Sequence, residues 1–100
     1  MNELTIYGRL TRDAKLAFAA SGTAVAKATI AVNHGKDKVT FIPVKAFGKT
    51  AEVLAEHVKK GHRVLVKAHI QTNVAEVKGE KKMYIDIVID QLHFVETKQK

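Results

Sequence analysis

Phe41, Lys45 and Phe47 fall on alternate positions of VTFIPVKAFGK, residues 39 to 49. On an extended chain alternate residues share a face, so Val39, Phe41, Pro43, Lys45 and Phe47 lie on one side and Thr40, Ile42, Val44 and Ala46 on the other. The second set reads as core. The first presents two benzyl rings with a lysine between them, the combination by which unpaired bases stack on aromatic rings while cations follow the phosphates. The same rings could instead complete a second apolar layer under a helix or at a subunit interface, and the spacing alone leaves both readings open. Tyr7 and Arg9 repeat the pairing of ring and cation on the outer positions of NELTIYGRL, residues 2 to 10.

Other chemistry finds little support. Gly48-Lys49-Thr50 resembles the end of a phosphate-binding P-loop, but the glycine that such a loop needs five residues earlier is Pro43. A strand ending in glycine and followed by a helix is the simpler account, with Lys49 at the helix start. The five histidines, at 34, 57, 62, 69 and 93, show no metal-ligand spacing on one element, so no metal is expected. Asp86 and Asp90, four residues apart on an extended strand, stand ~13 Å from each other, too far for a carboxylate pair. Ser21 lies in a turn without nucleophile context, and the chain has no cysteine. Neither an enzyme nor a cofactor is expected.

One hundred residues suit one domain. Seventeen Lys and Arg against ten Asp and Glu give a net charge of +7 and a pI near 9.8, which favours polyanionic partners. The opening MNELTIYGRLTRDAK lacks the basic segment of a signal peptide, and no apolar run approaches the ~18 residues of a membrane span. A soluble, cytoplasmic protein that does not engage a membrane is expected.

The positioning elements follow from periodicity. Residues 2 to 10 alternate, with Leu4, Ile6 and Leu10 inward. Residues 15 to 33 read as a hairpin or one long bent strand pair around Ser21-Gly22, and NHGKDK, 33 to 38, as a loop. Residues 49 to 60, KTAEVLAEHVKK, change to a helical period through Ala51, Leu54, Ala55 and Val58, with Thr50 as N-cap, Glu52 in the first turn and Gly61 as stop. Residues 63 to 72 return to period two with Val64, Val66, Ala68 and Ile70 inward. Lys78-Gly79-Glu80 signals a hairpin turn, and residues 84 to 90 form a last strand burying Ile85, Ile87 and Ile89. Five strands with one helix between the third and fourth make an all-β chain with the order of the OB-fold, a partly open Greek-key barrel. An SH3-like barrel or irregular sandwich is the alternative. The barrel is expected over 1–96, with a short polar tail over 97–100.

GRLTRD at 8 to 13, SGTAVAKATIAVN at 21 to 33, F-x-x-V-x-x-FGKTAE at 41 to 52, VKKGHRVLV at 58 to 66, IQT at 70 to 72 and YIDIVID at 84 to 90 occur in one order along the chain. By these blocks the sequence resembles the DNA-binding domain of the bacterial and phage single-stranded DNA-binding proteins, from Asn2 to about Glu96. The resemblance implies an OB-fold that coats single-stranded DNA in replication, recombination and repair, without catalysis. It implies base stacking on Phe41 and Phe47. Phosphate contacts are implied from Arg9 and Arg12 in GRLTRD, from Lys49, and from Lys60 in the KKG segment; Lys45 shares the face of the rings. It also implies self-association, as a homotetramer or alternatively a dimer, in the cytoplasm, on the nucleoid or in a phage's host. An RNA-binding or replication-restart OB protein would use the same platform. An assembly protein would use the aromatic face as an oligomer interface.

The chain departs from the family pattern in two places. Aromatic residues that members often carry in the loop after the second strand and in the hairpin after IQT are replaced by NHGKDK and by Asn73, Val74 and Ala75; Gln71 and Asn73 stand where arginines are common, and there is no tryptophan. The sequence also ends in Glu96-Thr-Lys-Gln-Lys100, which is basic, so recruitment of partners through an acidic tip is not expected of it. Fewer rings shift affinity from stacking toward electrostatics. Anisotropy titrations of a labelled oligothymidine should show a steep loss of binding from low to moderate salt, and a nearly salt-independent affinity would contradict this expectation.

Overall fold

The computed structural model describes residues 1–96, with side chains to His93; the tail expected over 97–100 lies outside the described residues. The elements run β1 (Leu4–Leu10), β2 (Lys15–Phe18), β3 (Ala24–Asn33), β4 (Val39–Phe47), α1 (Gly48–His57), β5 (Arg63–Val77) and β6 (Glu80–Glu96). Hydrogen-bonded neighbours follow the order β1-β5-β6-β4-β3-β2, and β1 also pairs with β3. That last pairing closes β1, β3, β4, β6 and β5 into a five-stranded OB-fold barrel, with α1 between its third and fourth strands. β2 lies outside the barrel as the free arm of a hairpin with β3, turned at Gly22, whose φ of +93° a glycine tolerates.

Closure depends on β1 serving two neighbours. It pairs with β5 from Leu4↔Ala68 to Arg9↔Arg63, and with β3 at Arg9↔Ala31 and Leu10↔Ile30. Gly8 permits the approach: a Cβ there would stand 2.3 Å from the Ala31 carbonyl oxygen and 2.8 Å from Ile30 Cγ2. The enclosed core is aliphatic, built from Ile6, Leu10, Ile30, Val44, Val64 and Val66 with small alanines on β3 and β4, and it is covered by Ala51 and Leu54 of α1 and by Val58 just after it.

The helix begins one residue before the expected start. Phe47 is still extended, and Gly48, at φ +63°, turns the chain directly from β4 into α1. Thr50 is therefore inside the helix rather than its N-cap, no side chain caps that end, and Glu52 lies beyond the first turn. The helix ends at His57, with the Val58 N–H donating to the Leu54 carbonyl. Gly61 is not the stop; at φ +87° it shapes the following turn, where its N–H donates to the Leu10 carbonyl at 2.8 Å.

The β5–β6 hairpin is longer than the periodicity suggests, running through a two-residue turn at Lys78-Gly79. Ladder pairing of β1 with β5 stops at Ala68, and the Asn2 side chain extends it one step by donating to the Ile70 carbonyl at 2.6 Å and accepting from its N–H at 2.9 Å. Past that point no third strand covers the hairpin, so Ile70 and Ile85, expected inward, are exposed. A register shift also changes the alternation of β6: Lys67 faces Gln91 but Ala68 faces Ile89, leaving Asp90 as an extra residue and burying the adjacent Val88 and Ile89.

Substituting Gly8 with alanine should destabilise the barrel by roughly 1 to 3 kcal/mol, the usual cost of overpacking. Urea unfolding followed by far-UV circular dichroism measures this, and an unchanged midpoint would show that close β1–β3 approach is not needed.

Candidate nucleic-acid interface

The outer face of β4 is set by an unbroken register with β3, from Val25↔Phe47 to Asn33↔Val39. Val44 and Ala46 turn into the core with Ile42 packed against it, which sends Phe41, Pro43, Lys45 and Phe47 outward. Phe41 is 63% and Phe47 43% exposed, and neither belongs to the core. A second apolar layer beneath the helix is thereby excluded. Six residues of strand separate the rings by about 20 Å, so as platforms for bases they would be two distinct surfaces rather than one stack. Pro43 sits opposite Thr29 without a register shift, so the strand carries no bulge there. On its other side β4 has, among the described residues, a ladder partner only at Lys45↔Val88.

A groove of about 720 Å³ runs beside the first platform, lined by Phe41, Pro43 and Lys45 of β4, Lys27 and Thr29 of β3, Lys15, Arg12 and Asp13, and Ile85 to Ile87 of β6. Two of the expected cations, Arg12 and Lys45, therefore meet Phe41 in one depression. Lys45 is held 3.3 Å from Asp86, whose other oxygen accepts from the Asn73 side chain at 2.6 Å. Asp13 accepts from the backbone N–H of Lys60 at 2.8 Å, which ties the post-helical turn to the Arg12 segment. Arg9 lines a separate depression of about 360 Å³ with Tyr7, Asn33 and Arg63. It is nevertheless in the same row as Phe41, because Arg9 pairs with Ala31 and Ala31 with Phe41. Lys49 is exposed just past Phe47 and lines neither depression.

Asp86 and Asp90 are engaged separately, Asp86 by Lys45 and Asn73, Asp90 by His69 Nδ1 at 2.8 Å. Among the described residues no three His, Cys, Asp or Glu side chains group as a metal site, and no helix is long and apolar enough to cross a membrane. The sequence reading missed Lys15, Lys27 and Asp86 as members of the groove. Their outward alternation was visible, but their adjacency depends on strand register, which alternation does not supply.

The description "Single-strand binding protein family" matches residues 1–95. A single-stranded DNA-binding protein of Clostridium perfringens is 42% identical over 97% of this chain and 67% of its own length. One of Clostridium tetani is 37% identical over 96% of this chain and 71% of its own. Single-stranded DNA-binding protein 1 of Clostridium acetobutylicum is 34% identical over 99% of this chain and 97% of its own. A five-stranded barrel with an exposed aromatic and basic face agrees with these matches, and the chain belongs to the single-strand binding protein family.

Proposed function

We infer that the chain binds single-stranded DNA largely without sequence preference, stacking bases on Phe41 and Phe47 and contacting phosphates through Arg9, Arg12, Lys45, Lys49 and Lys60. The observation that carries this reading is the joint outward placement of both rings and Lys45 on one strand, next to a cation-lined groove. The names of the relatives point to the same ligand. Binding of this kind protects the strand without chemical change, and its place is in replication, recombination and repair in the cytoplasm. Self-association as a homotetramer would let one strand visit several faces, so that avidity adds to modest single contacts.

Anisotropy of labelled oligothymidine, its RNA analogue and a duplex tests the reading; the DNA single strand should bind best. Phe41→Ala and Phe47→Ala should each cost ~1 to 3 kcal/mol, roughly 5- to 150-fold in affinity. Both rings are exposed, so thermal stability should change little. If the double variant kept its affinity while light scattering showed a broken oligomer, the rings would be interface residues and the stacking role would be abandoned.

A further inference from the structure

Three lysines stand directly opposite one another across three adjacent strands: Lys15 of β2 pairs with Lys27 of β3, and Lys27 pairs with Lys45 of β4. Paired residues send their side chains to the same face, and Ala26, Ala28, Val44 and Ala46 turn inward, so the three lysines leave together on the outer face. With strands ~4.8 Å apart, the row spans about 10 Å. Like charges placed directly opposite disfavour strand pairing. The carboxylate that meets the row is Asp86, 3.3 Å from Lys45 at the β6 end. Asp13, in the same groove, is engaged by the Lys60 N–H. The row thus works against the fold that holds it, and it lines the depression that also contains Phe41.

We propose that Lys15, Lys27 and Lys45 form a phosphate cradle that extends the single-strand-binding surface from β4 over β3 and β2, with Asp86 as the counterion that Lys45 exchanges for a phosphate. The proposal rests on the single-stranded DNA reading above and adds to it two cations outside the aromatic strand. Asp86 stays in place during the exchange because Asn73 donates to its second oxygen at 2.6 Å. The ion pair keeps Lys45 beside the groove before the strand arrives, and phosphates then supply the anions that the row lacks.

The test is anisotropy of labelled oligothymidine across a salt series, with K15Q/K27Q, D86N, F41A/F47A and a control of equal charge loss, K59Q/K67Q. Each lost phosphate contact on a single strand removes about 0.7 from the slope of log affinity against log salt, so K15Q/K27Q should lower it by about 1.4, or about 25-fold in affinity at 0.1 M salt relative to 1 M. The control should keep the wild-type slope, and D86N should bind more tightly than wild type at low salt. Relief of like-charge opposition should leave the melting temperature of K15Q/K27Q at or above the wild-type value. An unchanged slope for K15Q/K27Q, a change matched by the control, or a fall in its melting temperature overturns the cradle; D86N binding no tighter than wild type overturns the exchange. The F41A/F47A arm separates the two levels. Weakened binding there with an intact K15Q/K27Q slope removes the cradle alone, whereas unweakened binding with no preference for single strand over duplex removes the underlying reading.

Discussion

The double pairing of β1 is the constraint from which the other features follow. A strand that bonds to β5 along its length and to β3 at its end must bring two backbones close at one point, and Gly8 makes that point available. Once the barrel is closed, β3 and β4 have a fixed inside, filled by alanine and valine, and therefore a fixed outside. Phe41, Lys45 and Phe47 point outward because the residues between them are committed to the core. The aromatic face is thus a by-product of closure, positioned by a rigid scaffold rather than by a loop.

The groove depends on the same geometry at longer range. Lys45 lies at the one register point where β4 meets β6 in parallel, so its pairing with Asp86 spans the seam between the two strands. Asn73 carries the connection into the β5–β6 hairpin. A partly exposed ion pair of this kind contributes little stability on its own. Its importance is positional, since it fixes a cation beside Phe41.

Strand existence and facing were legible in the sequence where one face is buried, as in β1, β3 and the second half of β4, because alternation records burial directly; Thr40, read with the core set, is exposed at the start of β4, where its hydroxyl meets His34 Nε2 at 2.6 Å. The element order, five strands with one helix between the third and fourth, pointed to the barrel, and the family blocks implied the same fold. Three further things were not legible. The helix start was misplaced because Gly48 turns the chain without needing Thr50 as a cap. The inward places given to Ile70 and Ile85 failed because alternation does not reveal where the neighbouring strand ends. The meeting of Lys15, Lys27 and Lys45 was hidden because register is a property of pairs of segments distant in sequence, and each lysine alone looks like an ordinary solvated side chain.

Among the described residues, the division between an aliphatic interior and an aromatic exterior has an optical consequence. The chain has no tryptophan, and both tyrosines, Tyr7 and Tyr84, are exposed along with Phe18, Phe41 and Phe47. These rings keep between 43% and 64% of their surface in solvent in the folded barrel, so their emission changes less on unfolding than that of a core ring would. Tyr7, which shares a depression with Arg9, is instead placed to register the arrival of a neighbour at the surface. Intrinsic light from this protein therefore reports on the barrel's surface more than on its core.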